Sequence, residues 1–180
     1  MFKVPLIDSI LGVNKIIFIA VLLSFFACKE STRASYVSKS KNGGDEVYNV
    51  ETNDLVMNLA IAKAKDSYNS FLDVIKGGDT TLDDFGVKMG FETADGTEHM
   101  WLNQLHFEND TLFGVLDNDP VNATSFKAGD SLEIKKEMIS DWLYVRNNKM
   151  VGGYTIKALY SGMDEEEKKE FKKNLGFEIE

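Results

Sequence analysis

The spacing of apolar residues changes period once along this chain, just after Gly77-Gly78, and that change constrains the fold more than any other feature. Upstream, Met57, Ile61, Ala64, Tyr68, Leu72 and Ile75 recur three and four positions apart. That spacing places them on one stripe of a helix over 54–76. Asn53 or Asp54 is suited to cap its start, and Gly77-Gly78 to end it. Downstream, Phe85, Val87, Met89 and Phe91 alternate with Gly86, Lys88 and Gly90. Alternation of period two marks a strand with one buried face.

The turn residues that follow divide the rest into more strands. Asp95-Gly96 predicts a tight hairpin into a strand from about Glu98 to Phe107. Asn109-Asp110 turns the chain into Leu112–Leu116, and Asp117-Asn118-Asp119-Pro120 opens a loop. Ala128-Gly129-Asp130 leads to Ser131–Lys136. Ile139–Val145 is a further strand, turned by Asn147-Asn148 into Met150–Gly153. From Asp164 to Leu175 the acidic residues come first and the lysines later, a polarity that suits a helix dipole. Short turns between successive strands imply antiparallel pairing. The expected fold is α+β: a long N-terminal helix packed on a curved antiparallel sheet of five or six strands, with a C-terminal helix.

The N-terminus carries a different message. Lys3 and Lys15 precede an apolar run from Ile16 to Phe26, then small Ala27, then Cys28, the chain's one cysteine. A run of about 11 residues is within the range of an export signal and short of a membrane span. The order basic, apolar, small, cysteine resembles a bacterial lipoprotein signal, with Phe25 where that signal most often has Leu. It implies lipidation of Cys28 by a diacylglycerol thioether, and often an N-acyl chain such as palmitate. Two or three acyl chains hold firmly to a membrane where one does not. Lys29 rather than Asp follows Cys28, which favours the outer membrane of the envelope. The expected organisation is a signal peptide over 1–27, a flexible tether over 28–53, rich in Ser, Lys, Asn, Gly and Glu, and a single domain over 54–180.

Charge narrows the partners. The formal net charge is −9, and removal of 1–27 makes the remainder about one unit more negative. No basic stripe offers a surface to phosphates, so nucleic acid is not an expected partner. A lipidated cysteine leaves no thiol for catalysis or for a disulfide.

Four clusters stand out: Glu98-His99-Met100-Trp101-Leu102, Leu116-Asp117-Asn118-Asp119-Pro120, Ser140-Asp141-Trp142-Leu143-Tyr144 and Val151-Gly152-Gly153-Tyr154-Thr155. In combination they resemble the DUF2314 family, the YegJ-like proteins. The resemblance runs from about Leu82 to Tyr160, with the preceding helix included. It implies no defined activity. Members stand alone or beside other modules, ankyrin-type ones among them, which implies an interaction role.

Read by their chemistry, the same clusters supply the candidate residues. Glu98 and His99 are an acid–base pair by type, but neighbours on a strand point to opposite faces. Met100 and Leu102 share a face with Glu98; His99, Trp101 and Asn103 share the other. His99 and His106 are seven apart and fall on opposite faces of a regular strand, so no metal or other cofactor is expected. Gly152-Gly153 signals close backbone approach or a bulge, with no phosphate-binding helix start after it. The expected binding face therefore collects Glu98, His99, Trp101, Asn118, Asp119, Asp141, Trp142, Gly152, Gly153 and Tyr154. The expected function is a lipid-anchored, non-enzymatic binding module for a protein or small ligand, in one form an immunity or inhibitor protein. The alternatives are a hydrolase using Glu98, His99 or Asp141, and a purely structural envelope protein.

Overall fold

The computed structural model describes residues 36–42 and 45–179. Cys28 and the signal segment lie outside the described residues. Two strands, β1 (Tyr36–Asn42) and β2 (Asp45–Val50), pair antiparallel as a separate hairpin. They fall within the stretch that composition assigns to the tether.

Helix α1 (Leu55–Gly77) follows. Asp54 is its N-cap, accepting the Met57 amide at 2.8 Å, and Gly78 ends it in the left-handed conformation at φ 64°. Ala60, Ala64, Tyr68 and Phe71 make its buried stripe. The main sheet then runs β3 (Leu82–Thr93), β4 (Gly96–Glu108), β5 (Thr111–Leu116), β6 (Ser131–Glu133), β7 (Ile139–Arg146) and β8 (Lys149–Gly152). Its spatial order is β6-β5-β4-β3-β7-β8, antiparallel at every pairing. The fold is α+β with six strands in this sheet, as the alternation and turns predict.

The turns sit within one residue of where the sequence puts them, the first falling at Ala94-Asp95 rather than Asp95-Gly96. Thr93 pairs Gly96 across Ala94-Asp95. Asn109-Asp110 and Asn147-Asn148 all take positive φ, which polar Asn and Asp tolerate and tight hairpins require. A further element is not anticipated. Between β8 and the C-terminal helix lies α2 (Tyr154–Gly162), so the helical end of the chain is a pair. The last helix, α3 (Glu165–Leu175), starts in a capping box: Asp164 accepts the Glu166 and Glu167 amides while Glu167 accepts that of Asp164.

Both faces of the sheet centre are covered. On one side α1 presses Phe71 onto Trp142, with ring centroids 5.0 Å apart, and Val87, Met89, Leu102, Leu116 and Ile139 fill the interior. On the other, Leu143 and Met150 meet Ile156 of α2, with Trp101, Phe171 and Phe177 packed round them. The tail adds to β8: the Met150 amide donates to the Glu178 carbonyl and the Glu178 amide to that of Asn148.

Two bulges set which side chains face which way. Lys88 pairs Asp141 while Met89 pairs Ile139, so Ser140 is the extra residue. Ile139 and Trp142 both reach the α1 side, and Asp141 turns to the other. In β4, the register slips between Asn103 and His106, with Gln104 at φ 47°.

Candidate functional site

The two acids singled out by sequence are engaged by main-chain donors. Asp141 is wholly buried. One of its oxygens accepts the amides of Trp142 at 2.8 Å and Tyr154 at 3.0 Å; the other accepts the amide of Thr155 at 2.8 Å and its hydroxyl at 2.6 Å. It thus satisfies the first turn of α2, whose cap position, Gly153, has no side chain to do so. Burial pushes the Asp141 carboxyl above its ordinary range, opposed by the Thr155 hydroxyl, Lys88, and the Thr155 and Trp142 amides.

Glu98 closes the loop between β5 and β6. Its carboxylate accepts the amides of Val121 at 2.6 Å, Asn122 at 2.8 Å and Ala123 at 2.8 Å. Asp119 accepts the Ala128 amide within the same loop, with Asn118 half-buried beside it. The loop brings Phe126 over Phe91, at 5.1 Å between ring centroids.

The Gly-Gly-Tyr cluster is a backbone fitting. Gly152 and Gly153 have φ of 78° and 60°. A β-carbon on Gly152 would run into the Trp142 carbonyl, and one on Gly153 into the Met150 sulfur. The Gly153 amide donates to that same Trp142 carbonyl at 2.8 Å. Trp142 is 5% exposed and its indole N–H donates to the Ala64 carbonyl of α1 at 3.0 Å. Tyr154 meets the Trp142 ring edge-on, and Ser67 on α1 donates to its hydroxyl. The expectation that Asp141 and Trp142 share an exposed face with Trp101 is therefore corrected. The Ser140 bulge and the arrival of α2 bury both.

His99 and Trp101 do share the sheet face turned away from α1. Each ring lies against a glycine of β3: Trp101 on Gly86, where a β-carbon would be 3.4 Å from the indole, and His99 on Gly90, where it would be 3.0 Å from the imidazole. Between these glycines stands Lys88, half-buried, its ammonium 5.6 Å from the Trp101 ring centre. Burial lowers the Lys88 pKa, and Asp141 partly opposes this. His99 keeps an exposed edge, yet burial of the rest of its ring, with Lys88 next in effect, brings its pKa down to about 4. Neither His99 nor Lys88 makes a side-chain hydrogen bond with a described residue. Lys88 was missed by sequence reasoning; the signal was a lone cation in Gly86-Val87-Lys88-Met89-Gly90.

His106 lies beyond the β4 bulge, which restores it to the same sheet face as His99. It stacks on Phe113 and pairs with Glu108 at 3.4 Å. No cluster of three metal-ligating side chains occurs among the described residues.

Comparison with known proteins matches the chain to one family. The model of "Uncharacterized protein conserved in bacteria (DUF2314)" covers residues 54–179, the whole span from α1 to the tail. The chain belongs to the DUF2314 family. Among DUF2314 relatives, the Uncharacterized protein YegJ of Escherichia coli K12 is 38% identical over 119 residues, 66% of this chain and 76% of YegJ. A Neisseria meningitidis serogroup B protein that bears an ankyrin repeat name is 32% identical over 136 residues, 71% of this chain and 54% of that protein. This chain thus spans about half the length of the Neisseria relative. No solved structure matches this DUF2314 chain.

Proposed function

We propose that this DUF2314 protein is a lipid-anchored envelope protein whose domain binds a protein or small ligand, without catalysis, on the face around His99, Trp101 and Lys88. One observation carries the reading. Glu98 and Asp141, the carboxylates a hydrolase would need, accept only donors that hold the fold, while an aromatic ring, a neutral imidazole and an ammonium remain together on the sheet face. A half-exposed aromatic beside a cation is the composition of a recognition surface. The anchoring half of the reading rests on the basic, apolar, small and cysteine order that ends at Cys28.

Two measurements test it. Intact mass of the protein from an envelope fraction should show cleavage before Cys28 and added acyl chains; an unprocessed N-terminus overturns the anchor. A photo-crosslinking residue at position 99 should give a discrete adduct in intact cells, lost with Trp101→Ala, while the same residue at position 66 on the outer side of α1 should not. Equal adducts from both positions, or none from position 99, overturn the binding face.

A further inference from the structure

On the other side of the sheet, the second half of α1 does not close fully onto the strands. Tyr68, Leu72 and Lys76, one ridge of the helix at spacings of four, face Phe107 at the end of β4, with Leu112 and Ile134 below. The hollow between them has a volume of about 300 Å³, at the small end of ligand cavities. The β4 bulge builds it. Met100 and Leu102 point to α1, so an unbroken strand would turn Phe107 away; the extra residue at Gln104 brings Phe107, opposite buried Leu112, to the α1 side.

Three features of the hollow remain unmatched within the fold. Phe107 is 38% exposed, an aromatic surface left open. Tyr68 is 3% exposed, and its hydroxyl opens into the hollow without a hydrogen bond to a described residue. A ligand that covers this hydroxyl has to accept its hydrogen bond in place of water, and desolvation here already pushes its pKa up to about 12. Two lysines line the mouth: Lys76, its ammonium 5.8 Å from the Phe107 ring centre, and Lys136, which donates to Asn69. Neither forms an ion pair with a described carboxylate. Asp110, the acid of the lining, sits in the tight turn.

We propose that this hollow is a binding site for a small apolar carboxylate, its body on Phe107, Leu72 and Leu112 and its carboxylate accepting from the Tyr68 hydroxyl and from Lys76 or Lys136. An anion matches two ammonium groups that have no carboxylate partner among the described residues and a hydroxyl that must donate once it is covered; an apolar body matches the floor and the open ring. A neutral apolar ligand would leave the hydroxyl unsatisfied, and a cation would meet the lysines.

The test uses the full-length chain in detergent micelles, with amide NMR spectra recorded against benzoate, hexanoate, acetate and benzylamine. Benzoate, hexanoate or both should shift the Tyr68, Leu72 and Lys76 signals saturably, the stronger of the two naming the body as aromatic or aliphatic. Acetate should bind more weakly and benzylamine not at all. Lys76→Met together with Lys136→Met should weaken binding about tenfold or more, the loss of charge-assisted hydrogen bonding. Tyr68→Phe separates site from scaffold: without ligand it should fold about as stably as the parent, and it should bind the acid several-fold more weakly. Benzylamine binding as tightly as benzoate, the absence of saturable shifts, or a Tyr68→Phe protein that is destabilised without ligand would each overturn the proposal. The position-99 crosslink is read independently, so either site can fail alone.

Discussion

Asp141 and Thr155 share two hydrogen bonds across 14 residues of chain, the Thr155 amide and hydroxyl both donating to one carboxylate oxygen. This clasp ties strand β7 to the start of α2 and decides where the helix begins. Asp141→Asn should turn an amide N–H₂ toward donors, costing about 2–4 kcal/mol as charge-assisted bonds are lost in a buried site. Thr155→Val should cost less, about 1–2 kcal/mol. Urea unfolding of both single variants and the double should show a sub-additive sum, because each change removes the same contact. Fully additive costs would mean that the clasp contributes nothing as a unit.

Gly152 and Gly153 should differ in their response to alanine. The Gly152→Ala methyl meets a carbonyl that cannot move without breaking the β7–β8 pairing, so the variant should lose at least about 3 kcal/mol or fail to fold. At Gly153 the obstacle is the flexible Met150 side chain. There the left-handed backbone is the main cost, about 1–2 kcal/mol. Thermal midpoints of the two variants rank them, and the reverse order would refute the backbone argument.

Glu98→Gln should free the β5–β6 loop without unfolding the sheet. One Glu98 oxygen accepts a single amide and the other accepts two. Exchanging the carboxylate for an amide removes its charge and puts a donor where acceptors are needed, a cost of about 1.5–3 kcal/mol. Hydrogen exchange at Val121, Asn122 and Ala123 should accelerate tenfold or more, while the amides of β7 stay protected. Uniform acceleration across the domain would show that Glu98 supports the whole fold rather than the loop.

His99 gives the protein an acid limb of stability. Its folded pKa, about 4, lies below the ordinary value of 6.5, so the unfolded chain binds the proton more readily. The contribution is therefore complete above pH 6.5 and is lost as pH falls from there toward 4. The urea midpoint should decline over that window, and His99→Phe, which keeps a ring on Gly90, should flatten the decline. An imidazole proton signal for His99 that titrates near 6.5 in the folded protein would contradict this.

Much of the scaffold was legible because its signals are local. Asp54 and Gly78 bound α1 within three residues of the stripe they terminate, and the Asn and Asp residues at 109–110 and 147–148 take the backbone angles that tight turns demand. Helix α2 was not legible because its cap is Asp141, 13 residues before Tyr154, and the residue at the cap position is a glycine. No local rule reads that. The bulges at Ser140 and Gln104 escaped for a similar reason: a slip in register shows only in the partner strand. Strict alternation placed His99 and His106 on opposite faces, and one extra residue reversed it. Tyr68 read as one more core position on α1, since a stripe says which side is inward and nothing about what lies beyond the hydroxyl.

The tail bridge formed by Glu178 has a consequence for how the protein responds to proteolysis. It occupies the outer margin of β8, while the opposite margin is only the three residues of β6. Clipping the last few residues would lay bare the Met150 amide and the Asn148 carbonyl at the margin of β8, a foothold for strand addition by a neighbouring molecule. Trimmed copies should self-associate more than intact ones.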